Sequence, residues 1–299
     1  MSTIVAIAAF LGLGIARAQA HGVENQLSRA TWTIDPWIIA PLALAAILYG
    51  AGLLRLRRRI GEVQGRLFWQ AVAYSGALLT LVAALVSPLH SWGETLFTFH
   101  MIEHEIIMAI SAPLIVVARP IGVLMWGLPQ FLRRRTAAAL KTSAVQRAWS
   151  VASHGVAATA LHGVVIWGWH VPALFDAAVA DESLHRLQHL SFLVTAVLFW
   201  WSVLWCSDRG VAAWHIFVTM LHTSILGALM TLAPRVLYVL QTHTAFAWRL
   251  TPLEDQQLAG LVMWIPAGTI YAGAALALLA MWIRSSGRES VHVIRQDVL

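Results

Sequence analysis

Seven apolar stretches, each near the ~20 residues a helix needs to cross a bilayer, constrain this chain more than any motif within it. They run Pro36–Leu54, Leu67–Leu89, Thr95–Val117, Trp149–Phe175, Leu187–Trp205, Val211–Leu232 and Leu258–Ile283. Inside hydrocarbon a backbone must satisfy its own hydrogen bonds, so stretches of this length become helices. The expected fold is all-α: a polytopic membrane protein, a seven-transmembrane-helix bundle occupying residues 36–286 as one domain. Hydrophobic residues make up 59% of the 299, and charged ones only 11%, which excludes a soluble globular class. The partner this composition requires is the lipid bilayer.

The net charge of +6 resembles a nucleic-acid signal, but its distribution says otherwise. Arg55, Arg57, Arg58, Arg59 and Arg66 follow the first stretch. Arg119, Arg133, Arg134, Arg135, Lys141 and Arg147 follow the third, Arg209 the fifth, and Arg284, Arg288 and Arg295 the seventh. The opposite loops hold only Arg29, Arg186, Arg235 and Arg249. Basic loops stay cytoplasmic, so the chain is expected to run N-terminus outside and C-terminus cytoplasmic, with no nucleic-acid partner. Residues 120–132 are too short to span and are expected at the inner interface. Residues 1–20, with the apolar core Ile4–Ala16 and an Ala18-Gln19-Ala20 site, read as a signal peptide, although no Lys or Arg precedes the core. Residues 21–35 are then a periplasmic lead, beginning at His21, and 287–299 a cytoplasmic tail. The single cysteine, Cys206, excludes an internal disulfide and any CxxC metal motif.

Histidine is the unusual residue: 13 of them stand beside 14 acids. FHMIEHE, residues 99–105, lies within the third stretch. His100 and His104 are one helical turn apart and share a face, about 8 and 13 Å below the outer end. Ionisable groups at that depth are costly and mark function. His170 ends the fourth stretch in WGWHVPALFD, with Asp176 near, and His185 and His189, in LHRLQH, are again four apart at the start of the fifth. Paired imidazoles at this spacing can hold one ion from one helix. The expected ligands are His100, His104, His170, His185 and His189. Glu103, Asp255 or Glu105 is placed to receive a ligand's second N–H, and Met101 and Met108 offer thioethers. Imidazole with thioether favours copper; imidazole with carboxylate suits zinc equally.

The remaining histidines have plainer readings. His154, His162, His215 and His222 are expected to hydrogen-bond across helices, and His90 and His243, in loops, to be solvated. Glu254 and Asp255 open the seventh helix and can cap it, or Asp255 can reach the histidines and Arg235 can pair with either acid. Three further readings stay open. One is a zinc-dependent membrane hydrolase using three His with Asp176 or Asp255. Another is a b-type haem protein with His162 and His222 as axial ligands, Gly163, Gly168 and Gly227 leaving room. The last is a copper permease relying on His154 and His215 inward.

FHMIEHEIIMAISAPLIVVARP, WHVPALFDAAVADESLHRLQHLSFLVTAVLFWW and LEDQQLAGLVMWIPAGTIY resemble, in that order, signatures of the multi-spanning CtaG-like cytochrome c oxidase assembly factors. The resemblance covers roughly residues 95–275. It implies a non-enzymatic protein of the bacterial inner membrane that handles copper on the periplasmic side. Its implied partners are subunits of a haem-copper oxidase; the sequence leaves open whether a soluble periplasmic copper chaperone also takes part. The family-like positions are His100, His104, His170, His185, His189, Asp255 and Gln256. Glu103 departs from the resemblance, which implies a neutral polar residue such as Gln there.

Overall fold

The computed structural model describes residues 31–60 and 65–296, with side chains through Arg284 apart from Ile60. The segment expected as a signal peptide, His21, and the side chains of residues 285–299 lie outside the described residues. Every regular element among the described residues is helical. Six helices are long and apolar enough to cross a membrane. They are α1 (Pro36–Ile60), α2 (Gly65–Leu85, continued by the short α3, Pro88–Gly93), α4 (Phe97–Ala118), α10 (Glu182–Cys206), α11 (Arg209–Thr231) and α13 (Pro252–Gln296).

The stretch expected as one fourth span, Trp149–Phe175, is broken. Helix α7 (Ser143–Ala152) meets α8 (Gly155–Trp169) at a 71° bend, and the two together make a seventh candidate span. The bend has local causes. Ser153 Oγ bonds back to the Trp149 carbonyl at 2.7 Å, and His154 is extended. A Cβ on Gly155 would fall 2.5 Å from His215 Nε2, so the chain turns where only glycine passes that ring. At the other end, Pro172 forces Val171 into extended backbone, and α9 (Pro172–Ala180) begins.

Helix α4 is the most buried of the spans and forms the axis of the bundle. Its middle widens into a π-turn over Ile106–Ser111. Pro113, just beyond, supplies no N–H, and the loosened Met108 carbonyl accepts instead from Trp200 Nε1 at 3.0 Å. Helices α11 and α13 cross closely at Gly227 and Gly260, where a Cβ on either would come within 2.8 Å of the other's carbonyl oxygen.

The 120–132 segment is two short helices, α5 (Ile121–Gly127) and the start of α6 (Gln130–Leu140). Helix α5 packs on α1 more tightly than an interfacial helix lying on lipid. A Cβ on Gly52 would lie 1.9 Å from the Val123 carbonyl oxygen, and one on Gly127 2.0 Å from that of Leu48. Arg55 then donates to the carbonyls of Trp126, Gly127 and Leu128, capping α5. Gly52→Ala is expected to destabilise the protein by about 1–3 kcal/mol through overpacking. Thermal unfolding in detergent checks it, with Gly122→Ala, which meets open space, as the silent control.

Candidate metal centre

Four helices deliver imidazoles to one end of the bundle. Helix α4 starts there and brings His100 and His104, whose rings lie 4.3 Å apart. Helix α10 starts there too, its N-terminus capped by Asp181 accepting from Leu184 N, and brings His185 and His189, 4.4 Å apart. His170 stands at the C-terminal end of α8 and His90 on α3. The same-face spacing read from the sequence is therefore realised on both long helices.

The rings interlock. His100 lies 5.2 Å from His185 and 5.8 Å from His189, and His104 lies 5.1 Å from His189 and 6.2 Å from His170. One nitrogen from each of His100, His185 and His189 falls within 4.8 Å of the other two. Metal–nitrogen bonds of ~2.0–2.1 Å span such a set after small side-chain movements. All five expected ligands thus converge.

Their nitrogens are also unspent. Nε2 of His100, His170, His185 and His189, and both nitrogens of His104, are buried without a hydrogen-bond partner. An unmet buried polar group costs ~1–3 kcal/mol, and clustering of so many is hard to justify by packing. A cation between them would supply the missing partner, so the donor set fits a metal. His170 is pre-set for it: Nδ1 donates to the Ile166 carbonyl at 2.7 Å, leaving Nε2 with its lone pair.

His90 is a correction. Expected in solvent, it is buried, with Nδ1 3.3 Å from Glu103 Oε1 and 3.4 Å from Oε2, and its ring 5.8 Å from His185. The signal was present in the sequence: Ser87 followed by Pro88 is a helix start, and Ser87 does cap α3 by accepting from Leu89 N. Glu103, fully buried, stands between two imidazoles, its Oε2 3.9 Å from His189 Nε2. Gly93 makes the space, since a Cβ there would come within 2.6 Å of Oε1.

The other supporting residues do different work from that expected. Asp255 does not reach the histidines; it accepts from Phe97 N at 2.8 Å, Thr98 N at 2.9 Å and Thr98 Oγ1 at 2.8 Å, capping α4. Glu254 is taken by Thr251 in a capping box, so neither acid is left for Arg235. Gln256 holds the loop before α12 (Val239–Thr242), accepting from Leu237 N at 2.5 Å and donating to the Arg235 carbonyl. That loop covers the centre: Tyr238 donates to the His170 carbonyl at 2.7 Å and Gln241 to the Gly93 carbonyl at 2.7 Å. Burial, with the Asp176 charge beside it, pushes the Tyr238 phenol above its ordinary value and keeps it a donor. Asp176, expected near His170, has its Oδ1 buried without a hydrogen-bond partner. Met101 and Met108 fill the apolar core with Phe97 and Phe175. Glu105 lies beside Tyr271, with Oε2 unpartnered.

Three of the four deeper histidines make the expected cross-element bonds. His162 pairs with Thr195 at 3.0 Å, His215 with Thr159 at 3.1 Å, and His222 accepts from Trp167 at 3.4 Å.

Fold and site together define an all-helical, multi-pass membrane protein with a buried imidazole cluster at one end of its bundle. The chain belongs to the cytochrome c oxidase caa3 assembly factor family (Caa3_CtaG), whose profile matches residues 47–285 and so contains every histidine of the cluster. It is 26% identical over 269 residues to Uncharacterized protein Mb0105 of Mycobacterium bovis, an overlap covering 86% of this chain and 40% of that protein. Uncharacterized protein ML1998 of Mycobacterium leprae is 24% identical over 280 residues, covering 87% and 41%. The chain thus spans about two fifths of the length of the curated relatives it matches. No solved structure matches it.

Proposed function

We propose that the protein binds copper through His100, His104, His170, His185 and His189 and supplies it to a haem-copper oxidase during assembly. The observation that carries this is the set of buried, unpartnered imidazole nitrogens converging from three helices, in a chain of an oxidase assembly family. Neutral imidazoles in a site without thiolate bind copper well, and a non-catalytic carrier needs only to hold and release it.

In this reading α7 and α8 make the seventh span, the N-terminus is outside, and the cluster faces the periplasm of a bacterial inner membrane. The loop asymmetry supports it: α4 carries His100 at one end and Arg119 at the other, where the basic loops gather. A periplasmic copper chaperone is the donor this placement suits, and an oxidase subunit the acceptor.

The test is metal analysis of protein purified in detergent from copper-replete membranes. Wild type should retain copper, and the His100→Ala/His185→Ala/His189→Ala variant should not. A metal-free wild type overturns the reading, and stoichiometric zinc in its place transfers the site to metal-dependent hydrolysis. Glu103→Gln keeps the shape but replaces the carboxyl group beside His90 and His189 with an amide. Copper affinity is expected to fall ~10–100-fold, the usual effect of losing an outer-shell carboxylate; competition with a copper chelator measures it.

A further inference from the structure

The imidazoles at this centre outnumber what one ion can use. A closed zinc site takes four ligands, and six histidines crowd this end of the bundle. They divide by geometry. His100, His185 and His189 form the one triad whose nitrogens lie mutually within 4.8 Å among the described residues. His90 is turned to Glu103. His104 on α4 and His170 on α8 remain, with their rings adjacent.

We propose that the centre holds two ions, the second bound between His104 and His170. This rests on the copper reading above and specifies its capacity. The ring centroids of His104 and His170 are 6.2 Å apart. Two bonds of ~2 Å in line, plus the ring radii, put bridged imidazole centroids roughly 6 Å apart. His170 offers Nε2, because Nδ1 is committed to Ile166. His104 offers either nitrogen, both being buried and without partners. Phe192 packs against both rings, at 4.7 Å from His104 and 6.2 Å from His170, so the gap is walled by an aromatic face. Two imidazoles beside an apolar wall, with no carboxylate bonded to either among the described residues, suit a soft monovalent ion. Cu(I) accepts that low coordination, whereas zinc seeks four ligands. His104 also lies 5.1 Å from His189, which places the two ions side by side and gives an incoming ion a first and a second resting place.

The experiment is a titration of the detergent-purified full chain with Cu(I), under reducing conditions and against a chromophoric chelator. Wild type should bind two equivalents. His104→Ala/His170→Ala should bind one, and so should His185→Ala/His189→Ala. Should the variants fold poorly, X-ray absorption of the wild type decides: two equivalents must show a two-coordinate nitrogen component, absent at one equivalent. A wild type that saturates at one ion, or a His104→Ala/His170→Ala variant that still binds two, overturns the second site. Failure to bind any copper would instead overturn the function itself.

Discussion

A strain whose only copy of this protein carries His100→Ala and His189→Ala is expected to lose at least about tenfold in copper-dependent oxidase turnover, since even outer-shell changes weaken metal sites ~10–100-fold. The two residues sit on different helices, α4 and α10, and contribute two of the three nitrogens in the triad. Their Nε2 atoms make no hydrogen bond among the described residues, so alanine opens a cavity and removes the 3.9 Å His189–Glu103 contact without breaking a cross-helix hydrogen bond at Nε2. The variant should therefore accumulate in the membrane while losing its copper. Two measurements separate the cause from misfolding: the amount of variant protein in the membrane, and the oxidase haem spectrum. Haem present with turnover absent indicates a copper defect; haem and protein lost together indicates a folding one. Growth in excess copper should restore part of the turnover. Full turnover at ordinary copper would show that the triad serves no role in assembly.

Much of this architecture was legible because membrane physics leaves few choices. A run such as Val211–Leu232 becomes a helix wherever it goes, and the structure places one at Arg209–Thr231. The paired histidines were legible for the same reason, since four-residue spacing fixes a shared face before any tertiary contact forms. What the sequence concealed depended on contacts between distant segments. The 71° bend in the fourth span falls where Gly155 passes the ring of His215, some sixty residues on, a contact that the local Ser-His-Gly run does not disclose by itself. Asp255 looked like a ligand's partner because an acid near histidines invites that reading. Its carboxylate is instead consumed by α4, more than 150 residues earlier. His90 follows the end of α2, where a short polar run reads as a solvated turn, yet Ser87-Pro88 there starts a helix that carries the ring inward.

Asp255→Ala is the second change expected to act strongly, and it reaches the metal centre through the backbone. The carboxylate is fully buried and satisfies two of the four free N–H groups at the start of α4, together with the Thr98 hydroxyl. Removing it strands those donors, of which the Phe97 N–H is buried. Hydrogen bonds to a charged group are each worth ~1.5–3 kcal/mol and a lost N-cap ~0.5–2 kcal/mol, so a loss of about 2–4 kcal/mol follows. Leu96 precedes the helix with no side-chain cap of its own, so nothing local takes over. His100 lies only three residues beyond Phe97, and fraying of that first turn moves it away from His185 and His189. Asp255→Asn keeps one acceptor oxygen and should fall between wild type and alanine in both melting temperature and copper affinity. Glu254→Ala, one residue away, removes only an exposed capping-box bond to Thr251 and should change copper binding little. Thermal unfolding and chelator competition on the four proteins read the order directly. If Asp255→Ala matched wild type in both, the first turn of α4 would be held by something other than this carboxylate, and the centre would not depend on it.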